Sequence, residues 1–209
     1  MLTKFAVKNY RGFANRIELD LSNPNSYEYN AFAISDGTVK NGIIYGPNGS
    51  GKSNLGLAIF DIEYHLAPLK AKKQGYYDNY EYGNSGVPVD FEYTFNFSGQ
   101  IMRYEYSKDR NNILHREVLW IDGERVFYHD GHLLDIKSKY FPNEEVIKDL
   151  IKNNANNVSI VNLLLAYVPL PEEHFLLKLQ QFANNMLWIR YVEGNEFIGI
   201  ETQSNTLIE

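Results

Sequence analysis

Cysteine is missing from all 209 residues. Disulfides and thiolate metal sites are therefore excluded, and a cytoplasmic setting is expected. No run approaches the roughly 18 to 20 consecutive apolar residues that a membrane-spanning helix needs. Met1-Leu2-Thr3-Lys4 leads straight into a strand pattern, where a signal peptide would carry a long apolar stretch. Positive charge is in deficit: 20 Lys and Arg stand against 26 Asp and Glu, for a net charge of -6. That balance argues against a chain that coats nucleic acid over most of its surface. The dense cationic run Lys70, Lys72 and Lys73 reads as a solvated helix end. Internal repeats and low-complexity tracts are lacking too. What remains is 44% hydrophobic residues, enough for one sizeable globular domain or two small ones, and 16 Tyr, most of them in alternating strand patterns.

One stretch carries chemistry. Gly46-Pro47-Asn48-Gly49-Ser50-Gly51-Lys52-Ser53 matches G-x-x-x-x-G-K-S/T, the phosphate-binding loop. Its glycines let the backbone turn through conformations closed to other residues and bring N–H groups close to an anion. Lys52 offers a positive charge to the outer phosphates, and the Ser53 hydroxyl is of the type that ligates Mg²⁺. The motif needs a strand before it and a helix after it. The apolar run Asn41 to Tyr45 is expected to be a buried strand, and Leu55, Ala58, Ile59, Ile62 and Leu66 recur at helical spacing over about four turns.

Around the loop the patterning divides the chain into a nucleotide-binding core (1–68), an antiparallel β subdomain (69–140), and a helical segment with terminal strands (141–209). Leu2–Val7 and Ile17–Leu21 alternate and are expected to pair antiparallel, with a third strand over Tyr29–Ile34. Residues 75–87 are rich in Gly, Asn and Tyr and read as a connection. Val89–Phe97, Ile101–Ser107, Ile113–Ile121 and Arg125–Tyr128 are strand-like runs separated by turn signals, which specifies a meander. Pro142 to Glu145 starts a helical region, Ser159–Tyr167 is a buried helix, and Glu172-Glu173 opens another. Leu187–Val192 and Phe197–Ile200 read as strands, and Thr202–Thr206 as a frayed end.

Three tempting motifs are read as structure. Val118 to Glu124 imitates the apolar strand ending in acid that P-loop ATPases use, but Asp122-Gly123 between two alternating runs is a hairpin signal. Ser98-Gly99-Gln100 has the letters of a cassette signature but leads into a strand. His129 and His132 lack supporting ligands for a metal. The phosphate half of an ATPase is present here without its acid half.

Asn9-Tyr10-Arg11-Gly12-Phe13 after an opening strand, followed by Gly46 to Ser53 and Asn54, resembles the ATP-binding-cassette heads of the SMC, RecF and double-strand-break-repair ATPases. The segments Ile113–Leu119, Ser159–Leu165 and Phe175–Phe182 are more similar to the AAA ATPases of bacterial abortive-infection and overcoming-lysogenization-defect type. The resemblance implies a mixed α/β fold: the N-terminal lobe of a P-loop NTPase, with an antiparallel β subdomain and a helical segment. It also implies ATP and Mg²⁺ as cofactors, Arg11 and Asn54 close to the nucleotide, heads that pair into a homo-oligomer, and an effector protein such as a nuclease or toxin. The signature, the acidic strand and the switch histidine are unmatched, and in the family they lie further along than residue 209. The leading expectation is an ATP-binding lobe acting in anti-phage defence. A DNA-maintenance ATPase and a nucleotide-stabilised scaffold are the alternatives.

Overall fold

A computed structural model describes residues 1–24, 31–66, 75–141, 144–154, 158–190 and 196–199. Alternating apolar and polar residues favour strands because successive side chains leave opposite faces. Accordingly β1 (Leu2–Lys8) and β2 (Ile17–Asp20) pair antiparallel, with Phe5 opposite Leu19. A 3-10 turn at Ala31–Ala33 then leads into a two-residue hairpin, β3 (Ile34–Ser35) and β4 (Thr38–Val39). The strand expected over Tyr29–Ile34 is thereby corrected. Residues 29 and 30 lie outside the described residues, and the exposed Phe32 sits in the 3-10 turn, strand structure beginning only at Ile34.

Helix α1 (Lys52–Leu66) follows the loop at once. The meander comes next: β5 (Val89–Phe97), β6 (Gln100–Lys108), β7 (Leu114–Ile121), β8 (Glu124–His129) and β9 (Leu134–Ile136). Its hairpins close on Ser98-Gly99, at φ of 55° and 92°, and on Asp122-Gly123, at 50° and 80°. Two central residues of positive φ give the turn whose twist matches paired strands. Asp122 is spent on this turn, its Oδ1 accepting from the Ile101 amide at 2.8 Å. Both motif look-alikes are therefore hairpin turns. Among the described residues no group of acids and histidines could hold a metal, His129 and His132 included.

Seven strands form one antiparallel sheet in the order β2, β1, β5, β6, β7, β8, β9. Its outer face carries ion pairs of mixed sign: Lys4 to Glu18 at 3.0 Å, Arg16 to Glu92 at 3.2 Å and Arg116 to Glu105 at 3.2 Å. Such exposed pairs each contribute little. The inner face is aromatic and buries Phe5, Phe91, Tyr93, Phe95, Tyr104 and Tyr106. Against it lies α1, anchored where the Tyr93 hydroxyl donates to the Ala58 carbonyl at 2.9 Å.

Helices α2 (Glu144–Asn154), α3 (Ile160–Tyr167) and α4 (Phe175–Asn184) complete the core, and β10 (Leu187–Arg190) with β11 (Glu196–Gly199) makes a hairpin beyond them. The acids Glu172 and Glu173 precede α4 without capping it. The cap is His174, whose Nδ1 accepts from the Leu176 amide at 3.3 Å and so satisfies a donor that the helix leaves open. The start of α3 is tied to the sheet by buried Glu117 of β7. Its carboxylate accepts from the Tyr104 hydroxyl at 2.6 Å, the Ser159 hydroxyl at 2.7 Å and the Ile160 amide at 2.6 Å. Burial pushes the Glu117 carboxyl above its ordinary range even against these donors. On α1, a methyl group at Gly56 would lie 2.1 Å from the Trp188 ring, so only glycine lets that ring lie on the helix. Residues 67–74, Pro142, Asn143, 191–195 and 200–209, on which expectations for the lysine run, a helix start, strand ends and the terminus fell, lie outside the described residues.

The strand expected over Asn41–Tyr45 is also corrected. The segment enters the loop as irregular chain, with Ile43 and Tyr45 each 92% exposed. Extended backbone becomes a strand only when another strand supplies a hydrogen-bonding ladder. The antiparallel sheet ends at β2 and β9 and gives this segment none.

Candidate functional site

The eight residues Gly46 to Ser53 curl into the first turn of α1. Gly49 and Gly51 have φ of 81° and 91°, a left-handed region that side chains avoid. The Ser50 amide donates to the Pro47 carbonyl at 3.3 Å, and the helical ladder begins with the Leu55 amide on the Gly51 carbonyl at 2.9 Å. Amides ahead of that point have no helical partner. Together with the helix dipole they make the turn a place for an anion. Lys52 folds back across the loop, its Nζ donating to the carbonyls of Gly46 and Pro47 at 2.7 Å each. Asn48 and Ser53 are exposed at the same end.

The turn after β1 docks on this loop. Tyr10 and Phe13 exchange backbone hydrogen bonds of 3.0 and 2.7 Å. A methyl group on Gly51 would lie 2.8 Å from the Phe13 ring, and one on Gly12 would lie 3.3 Å from the Asn54 side-chain nitrogen. Arg11 between them holds φ of 48°, unusual for a residue with a long side chain. Its amide donates to the Tyr80 carbonyl at 2.9 Å, its Nη2 to the Tyr76 carbonyl at 2.6 Å and its Nε to the Tyr10 hydroxyl at 3.1 Å. Arg11, Gly12 and Asn54, with Asn79, Glu81 and Asn84, line a polar pocket of about 260 Å³.

Sequence reasoning missed Asn79, Glu81 and Asn84, since they fall in the stretch read as a connection. The legible signal was asparagine itself: Asn79 and Asn84 both hold φ of 52°, which asparagine tolerates better than most residues. Glu81 is buried. Burial pushes its carboxyl up, but bonds from the Arg110 amide and guanidinium and the Gly86 amide outweigh this and hold it below its ordinary range.

Beneath the loop, about two and a half turns down α1, lies a second constellation absent from the sequence reading. Asp61 is fully buried. Its Oδ2 accepts from the hydroxyls of Tyr76 and Tyr80 at 2.7 and 2.8 Å, and its Oδ1 from Tyr106 at 2.9 Å. The Lys108 ammonium stands 2.7 Å from the same Oδ1 and faces the rings of Tyr77, Tyr80 and Tyr106 at 5.6 to 5.8 Å. Burial lowers the Lys108 pKa, with Asp61 opposing that shift. Burial raises all three tyrosine pKa values, so their hydroxyls stay protonated and act as donors. Arg11 and Asp61 thus grip the same Tyr76–Tyr80 turn, one at its backbone and one at its hydroxyls.

A glycine-rich turn carrying Lys and Ser at the start of a helix has the sequence and local turn of a P-loop, here without a strand in front of it. Residues 43–172 match the family model described as "AAA domain, putative AbiEii toxin, Type IV TA system". The chain belongs to this family of AAA-type P-loop ATPase domains. A search of the curated proteins finds no match.

Proposed function

We propose that the chain is the ATP-binding lobe of a bacterial defence ATPase of the abortive-infection or toxin–antitoxin kind, and that ATP with Mg²⁺ controls association of two such lobes or release of an effector. The observation that carries this reading is the loop at the head of α1, arched over by Lys52, with the Arg11 turn packed against it. The amides of Gly49, Gly51, Lys52 and Ser53, with Gly46, Pro47, Asn48 and Ser50 shaping their turn, hold the β- and γ-phosphates. Lys52 leaves two carbonyls for the phosphate oxygens, exchanging neutral acceptors for charged ones. Asn54 and Arg11 stand on the side toward the rest of the nucleotide. Ser53, exposed in the first turn, is the residue whose hydroxyl would offer an oxygen ligand to Mg²⁺. The metal would neutralise phosphate charge. The defence assignment rests on the family description, which names a toxin of a toxin–antitoxin system.

Calorimetric titration of the chain with ATP and Mg²⁺ is expected to give a saturable site of one nucleotide per chain, weakened when Mg²⁺ is withdrawn. A flat titration contradicts the reading.

A further inference from the structure

Helix α4 starts on an unusual cap. The residues that usually cap a helix offer an oxygen that does not titrate near neutrality, whereas here the acceptor is a ring nitrogen, His174 Nδ1, 3.3 Å from the Leu176 amide. Because Nδ1 accepts, the ring is neutral and its one proton sits on Nε2. Nε2 is shielded from solvent, and the ring packs on Phe175 and Phe141 with centroids 4.0 and 5.7 Å apart. A second proton can enter only at the Nδ1 lone pair, the one that holds the cap. It would set a donor against a donor and place a positive charge at the helix end that repels one.

We propose that His174 is a pH-sensitive latch: a proton on Nδ1 unseats the first turn of α4. On the entering turn Glu172 and Glu173 are exposed, and Glu173 faces Lys178 at 3.2 Å. On the segment packed against the ring, the Lys139 ammonium and the Tyr140 hydroxyl both turn to Glu124 at 2.8 Å. Burial lowers the His174 pKa, the Tyr140 backbone carbonyl opposes that shift, and no charged side chain among the described residues contributes. The folded chain therefore favours the neutral ring. The latch holds in full above the ordinary histidine pKa of about 6.5. It weakens as pH falls from there toward the lower value of the folded chain, and is lost below it. Unseating reaches beyond the cap, because α4 buries Phe175, Leu176 and Leu179, lies against α1 and sets Phe182 edge-on to Phe95 at 4.8 Å. It also lines an open groove of about 1080 Å³ through Lys178, Gln181 and Asn185. Mild acid thus loosens both this groove and the support of the helix that carries the loop.

The test follows Tm at about pH 7.5 and about pH 5, on either side of the ordinary histidine pKa. It compares the native chain with His174→Asn, which keeps a capping oxygen and does not titrate, and with His174→Ala, which has no cap at either pH. Other titrating groups, buried His129 among them, act equally in all three. Between the two pH values the native Tm is expected to fall by about 2 to 4 °C more than that of His174→Asn, the shift that loss of one cap brings in a chain of this length, and to approach that of His174→Ala. A gap between native and His174→Asn that is the same at both pH values overturns the proposal. The Leu176 amide of the native chain gives a second reading that needs no variant. Its resonances should move together with the titration of the His174 ring, and an amide that stays in place while the ring takes up its proton overturns the latch as well.

Discussion

Asp61→Ala is expected to lower the free energy of unfolding by about 3 to 5 kcal/mol, the usual cost of removing one partner from a buried ion pair. The substitution strands the Lys108 ammonium among tyrosine rings and deprives three buried hydroxyls of their acceptor. For a chain of this length that is a fall in Tm of about 6 to 20 °C, from a total stability of about 5 to 15 kcal/mol. The double variant Asp61→Leu/Lys108→Met should be markedly less damaged, because it leaves no lone charge behind. Urea denaturation of the three proteins settles the point. An Asp61→Ala protein within about 1 kcal/mol of the native one would show that the pair is not held as described.

Lys52→Ala is expected to weaken ATP binding by at least about tenfold, since one charge-assisted bond to phosphate is worth about 1.5 to 3 kcal/mol. Stability without nucleotide should move by less than about 0.5 kcal/mol, because Lys52 touches only two carbonyls of an exposed loop. The two quantities separate cleanly in a thermal-shift experiment. Nucleotide at a hundred times its Kd stabilises the native chain by about 2.7 kcal/mol, and at the same concentration this gain should fall to about 1.4 kcal/mol or less in the variant while the starting Tm holds. A variant stabilised as much as the native chain would mean that the phosphates bind elsewhere.

The parts of the fold written in local pattern were legible. Alternation from Val89 to Tyr128, cut by Ser98-Gly99 and Asp122-Gly123, gave the meander its strands and turns, because residue period and turn chemistry are properties of adjacent residues. The loop was legible for the same reason. What depended on distant partners was not. Asn41 to Tyr45 is apolar, but apolar character does not supply a neighbouring strand, and the segment stays exposed. Asp61 falls on a helix whose apolar stripe is plain in sequence, yet its burial is decided by Tyr76, Tyr80, Tyr106 and Lys108, 15 to 47 residues away. The polar pocket likewise joins a turn after β1, the first turn of α1 and a stretch with no period of its own. Arg11 entered the sequence reading through likeness alone. Its packing now gives it a physical place, next to Gly12 and Phe13 against the loop.

Backbone amide chemical shifts during titration with ATP and Mg²⁺ test the central claim most directly. If the loop at the head of α1 holds the phosphates, the largest changes fall on the amides of Gly49, Ser50, Gly51, Lys52 and Ser53, with smaller ones at Arg11 and Gly12. Changes that leave these amides unmoved while others respond would contradict the account.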